Sequence, residues 1–211
     1  MKSLMLTIAV LFCLLPVAAE ALSGPADVDA AAKAGLSSFL ARIPAGSANE
    51  YGFNKTDSLD KTYLGDPFNL HIITPDSLFS YSEGVPVASI LTVTDQWYFP
   101  VMIQGQIRCF LIVDRMDGQW EAVSLGHATL AKFTNRVREN WPAEKGYNPV
   151  LIAVLQAKTY LMMIPEAGET LMSLSPMKTQ SGLGQAASGS SQAAGILESL
   201  KPTVREAIKQ R

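Results

Sequence analysis

Cysteine is nearly absent from this chain: there are two in 211 residues, Cys13 and Cys109. Cys13 falls inside an apolar leader, and Leu11-Phe12 before it is too bulky for a lipoprotein cleavage site. Cys109 is then alone, which excludes an intramolecular disulfide and the stapled scaffolds of secreted toxins and growth factors. Histidine is equally scarce, with only His71 and His127. Without H-x-x-H or C-x-x-C spacing, a zinc site lacks its usual clustered ligands. Positive charge is not in excess either: 17 Lys and Arg against 19 Asp and Glu leave a net charge of −2. That balance argues against a nucleic-acid partner, which a basic surface binds by displacing counterions from phosphate. The acidic group Asp57, Asp60 and Asp66 lacks the alternating ligand loop and closing Glu of a calcium site. No G-x-S-x-G or G-x-x-x-x-G-K occurs, and Gly182-Leu183-Gly184 opens no helix after a strand. No cofactor or metal is expected.

What is present begins with a leader. Met1-Lys2-Ser3 is a short positive start, Leu4 to Ala19 is almost unbroken apolar sequence, and Ala19-Glu20-Ala21 is a small-x-small cleavage pattern. Residues 1–21 therefore read as a secretory signal peptide, with mature protein starting at Leu22. No later segment reaches the roughly 18 apolar residues of a membrane-spanning helix. The expected location is periplasmic or secreted. A disulfide-free exported chain points to a bacterial source, and the triplet Asn54-Lys55-Thr56 reads as an accidental glycosylation sequon.

The spacing of Ala32, Leu36, Phe39, Leu40 and Ile43 predicts an opening helix, capped by Asp27 or Asp29 and stopped by Pro44 and Gly46. A short helix is expected over Ser58 to Leu64, capped by Asp57. Strands are expected over Phe68 to Ile73, Val87 to Thr94, Trp97 to Ile103, Gln106 to Arg115 and Gln119 to Leu125. The turns Gln104-Gly105 and Asp117-Gly118 join the last three into a β-meander. His127 to Trp141 reads as a second long helix ended by Pro142, followed by strands at Val150 to Leu155, Tyr160 to Ile164 and Thr170 to Leu174. Helices segregated from strands indicate an α+β domain over 22–174, an antiparallel sheet packed against two long helices. Residues 175–195, rich in Ser, Gly, Ala and Gln, read as a flexible linker. Residues 196–211 then carry a short amphipathic C-terminal helix: Ile196, Leu200, Val204 and Ile208 sit four apart, and Pro202 favours a start there. On this reading the core ends near Leu174 and survives truncation there, and the stripe is frayed when free or helical only when docked against the core or a partner.

Cys109 sits in Ile107-Arg108-Cys109-Phe110-Leu111, the middle of a strand, where a free thiol behaves as a small hydrophobe. Trp97-Tyr98-Phe99-Pro100-Val101 is the densest aromatic run, and alternation sends Tyr98 to the opposite face from Trp97 and Phe99. Most of it should be core, with Tyr98 and Trp120 the more exposed members and candidate partner-binding residues.

Together with Phe39-Leu40-Ala41-Arg42-Ile43-Pro44, Tyr51-Gly52-Phe53, Leu64-Gly65-Asp66-Pro67-Phe68 and Gly118-Gln119-Trp120, that run resembles exported bacterial α+β proteins without an assigned activity, over about residues 30–175. Such helix-on-sheet domains also look like prodomains and accessory modules of secreted peptidases, and the resemblance implies binding rather than catalysis. The leading expectation is an exported, non-catalytic binding or accessory protein that docks a protein or peptide partner through Ile196, Leu200, Val204 and Ile208. The alternatives are a hydrolase using Cys109 or a His, and a structural component of the cell envelope.

Overall fold

The computed structural model describes residues 25–174 and 190–210. Among them are four α-helices and an eight-stranded, mostly antiparallel sheet, an α+β architecture. The expected signal peptide at 1–21 lies outside the described residues, as does most of the expected linker.

The first helix, α1, runs Ala26–Ala41. Pro25 precedes it without a side-chain cap, so Asp27 and Asp29 lie in its first turn, where their charge favours the helix dipole, and are not caps. The expected helix at 58–64 is only a 3-10 turn, Leu59–Lys61, followed by a two-residue strand β1, Tyr63–Leu64. Asp57 caps nothing there. It is instead drawn to Arg108, whose Nε lies 2.8 Å from its Oδ2.

Strand β2 (Phe68–Ile72) leads into a short helix α2, Pro75–Ser80. Here the Thr74 hydroxyl accepts from the Ser77 N–H and Pro75 occupies the first turn, as helix-start chemistry requires. The stretch expected as a strand from Val87 is a 3-10 turn over Val87–Ile90. Glu169 holds it by accepting from the Val87 and Ala88 amides at 2.7 and 3.2 Å. That contact spans 82 residues, so local alternation misled.

Strand β3 then runs unbroken over Thr92–Ile103, pairing with β4 (Gln106–Met116), which pairs with β5 (Gln119–Gly126). After α3 (Ala128–Asn140) come β6 (Val150–Val154), β7 (Thr159–Ile164) and β8 (Thr170–Ser173). The sheet order is β5-β4-β3-β2-β6-β7-β8, with β1 beside β3. The meander is thus one part of the sheet. A second antiparallel run, β6-β7-β8, joins it through the parallel pair β2–β6, where Leu70 faces Leu151.

Alternation along the strands sorts the core. Leu70, Tyr98, Phe110, Leu151 and Met162 point to one face, beneath Leu130, Ala131 and Val137 of α3. Asn135 fixes that helix by bonding both the N–H and the carbonyl of Ile107, at 3.0 and 2.9 Å. On the opposite face, Phe99, Val101, Cys109, Leu111 and Val113 meet Val28 and Ala32 of α1. Gly35 allows that approach, because a Cβ there would lie 2.2 Å from the Ala122 Cβ of β5.

The rest of that face is covered by the C-terminal helix, α4, Ser190–Lys209. It is a 20-residue helix, not a short one, and it begins inside the stretch expected as linker. Pro202 lies within it and does not start it. Ala193, Ala194, Leu197, Leu200 and Val204 close over Ile152, Val154, Leu161, Met163 and Leu171. The expectation of a core complete at Leu174 is therefore corrected, since these strand residues need α4 to leave water.

Candidate functional site

Cys109 is fully buried and burial alone pushes its thiol up to about 12, so it stays protonated and unreactive at neutral pH. Tyr98 is not exposed, contrary to expectation: it is 3% accessible, and its hydroxyl hydrogen-bonds that of Tyr160 at 2.9 Å. Desolvation first, and the Tyr160 contact next, hold its phenol well above the usual range. Trp120 is half-buried against the α1 side of the sheet, with the Arg115 guanidinium 5.9 Å above its ring. His71 is half-buried on β2, its Nδ1 3.2 Å from the Asn69 carbonyl oxygen.

A first concavity, about 340 Å³, lies where α3 begins. Glu50, His127, Thr129, Tyr160 and Leu174 line it. His127 takes the left-handed conformation, φ 61° and ψ 39°, which few non-glycine residues adopt. Its ring meets Tyr98 and Tyr160 edge-on at 5.7 and 5.8 Å. His127 is exposed as a residue, yet the partial desolvation of its ring beside those phenols lowers its pKa. The loop leading to Glu50 is tied down nearby: Gly52, at φ 90°, lies so close to the Arg108 carbonyl that a Cβ would come within 2.2 Å.

A second and larger concavity, about 550 Å³, separates α2 from α4. Its walls are Phe79 of α2 and Glu198, Lys201, Arg205, Ile208 and Lys209 of α4. Of the stripe expected to dock a partner, Leu200 and Val204 are buried against the protein's own sheet and Ile196 is half-buried. Ile208 is 45% exposed and lines the cleft. Lys201 is paired with Glu198 and also donates to the Tyr81 carbonyl at 3.3 Å, while Lys209 is paired with Glu206 at 2.9 Å. Arg205 has no carboxylate partner among the described residues. Its guanidinium lies 5.4 Å from the Phe79 ring centroid, in cation–π range.

Residue spacing along 196–211 gives no link between Arg205 and Phe79. That contact depends on α2 and α4 packing together, which no local pattern announces. Likewise the sequence puts His127 at the start of a helix, and nothing in it singles out Tyr160, its ring neighbour. Among the described residues no three His, Cys, Asp or Glu side chains group to hold a metal ion, and no helix is long and apolar enough to cross a membrane. No family model, curated protein or solved structure matches the chain.

Proposed function

We propose that this is an exported, non-catalytic binding or accessory protein, and that it engages its partner through the outward side of its C-terminal helix. The observation that carries the reading is the α2–α4 cleft, where Arg205, without a carboxylate partner among the described residues, and an exposed Ile208 sit beside Phe79 in one surface. Arginine and aromatic side chains beside apolar ones are the composition of interface anchors. The buried half of the same helix gives the surface a rigid mount, which lowers the entropy lost on binding. The state of Cys109 supports a binding role over thiol hydrolysis, because a thiol held near 12 supplies almost no thiolate.

Export rests on the leader, and N-terminal sequencing of the exported protein tests it, with Leu22 the expected first residue. The docking surface is tested by placing a photo-crosslinking amino acid at position 208 and, separately, at the exposed position 158 on the turn before β7. Irradiation of cells should give a discrete adduct from position 208 alone. Equal adducts from both positions, or none from 208, would remove this surface as the docking site.

A further inference from the structure

We infer that the α2–α4 cleft receives an acidic peptide segment of a partner protein, one carboxylate meeting Arg205 and an adjoining apolar side chain meeting Ile208 and Phe79. This rests on the docking role proposed above and adds the chemistry of the partner. The cleft presents Lys201, Arg205 and Lys209 beside the carboxylate of Glu198, and Glu206 pairs Lys209 at its edge, so the one positive charge in excess is that of Arg205, on a chain of net charge −2. Two of those cations are already occupied, Lys201 by Glu198 and Lys209 by Glu206. Among the described residues that leaves Arg205 as the cation of the cleft without a carboxylate. A guanidinium near an aromatic ring keeps N–H groups free for a carboxylate, which it binds bidentately and more strongly than a lysine does.

The shape favours a peptide over a lipid surface. A bilayer is gained by apolar side chains that project from a helix into it. The apolar stripe of α4 points inward instead: Leu197, Leu200 and Val204 are at most 4% exposed. What remains outside is Ile208 in an open depression beside Phe79 and a half-buried Ile196, too little apolar surface to enter a bilayer.

Selection of random displayed dodecapeptides on the mature full-length chain tests this directly. The expected result is enrichment of sequences with Asp or Glu beside a bulky apolar residue. A synthetic peptide from that set should bind on the order of tenfold more weakly to Arg205→Glu, the loss of one charge-assisted contact. Arg205→Lys should recover part of the affinity, and added salt should weaken the wild-type complex. Unchanged melting curves for both variants show that the fold is intact. Enrichment of neutral or basic peptides whose binding is abolished by Ile208→Asp would overturn the acidic partner and leave the docking role standing. Peptides indifferent to both Arg205→Glu and Ile208→Asp, no enrichment, or binding to anionic phospholipid vesicles alone would overturn both.

Discussion

Leu197 and Ile208 sit on the same helix, and their different surroundings make a sharp test of how α4 is held. Leu197 is fully buried among residues that include Ile152, Val154, Leu161 and Leu171. Leu197→Ala removes buried carbon and leaves a cavity that the surrounding strands can only partly fill. The cost for such a site is about 2–5 kcal/mol. A domain of this kind has a total stability on the order of 5–15 kcal/mol, so the change consumes a large part of it. At about 2–4 °C per kcal/mol for a chain of this size, the melting temperature should fall by roughly 4–20 °C. Ile208 is 45% exposed, so Ile208→Ala should stay within about 0.5 kcal/mol of the parent. Calorimetry on both variants, with urea unfolding to confirm an unchanged m-value, reads the contrast. If Leu197→Ala melts within about a degree of Ile208→Ala, α4 is not seated on the sheet in solution and the reasoning from its burial fails. On the same logic, ending the chain after Leu174 should abolish cooperative unfolding.

Three further outcomes are expected. Native protein should resist a thiol-specific reagent at Cys109 and react on unfolding, and Cys109→Ser should cost roughly 1–3 kcal/mol by burying a hydroxyl in place of a small hydrophobe; stoichiometric labelling of the folded chain would contradict this. Gly35→Ala should lower stability by about 1–3 kcal/mol in urea titrations, because the new methyl would overlap Ala122 and push α1 off β5. Burial lowers the His127 pKa, so as pH falls from about 7 toward 5 the unfolded chain takes up a proton that the folded chain resists. Stability should decline over that window, and His127→Gln should flatten the decline; an unchanged pH profile in the variant would show that His127 does not titrate differently on folding.

The readable parts of this fold are those whose causes are local. Gln104-Gly105 and Asp117-Gly118, all four at positive φ, announce their hairpins, and the three strands from Val150 onward lie close to where alternation puts them. Helix α3 ends before Pro142 as expected. The errors occur where a distant group decides. Val87–Ile90 alternates like a strand but is bent into a 3-10 turn by the Glu169 carboxylate. The Ile196 to Ile208 stripe has helical spacing, but spacing alone does not say whether the apolar side rests on its own sheet or on another protein. Tyr98 illustrates the same limit. Its alternation is correct, yet its face of the sheet is covered by α3, a helix whose docking depends on Asn135 and Ile107.

The parallel pairing of β2 with β6 has a kinetic consequence. Strands β3 to β5 and β6 to β8 each form from neighbours in the chain, at the low entropic cost of short loops. Zipping Leu70 to Leu151 and His71 to Ile152 must instead wait until the whole first half has been brought round. During that interval the edges of β2 and β6 both lie open, and each is a template for pairing with another chain. Refolding at high protein concentration should therefore lose yield at this step, through strand exchange between molecules whose two halves are already formed.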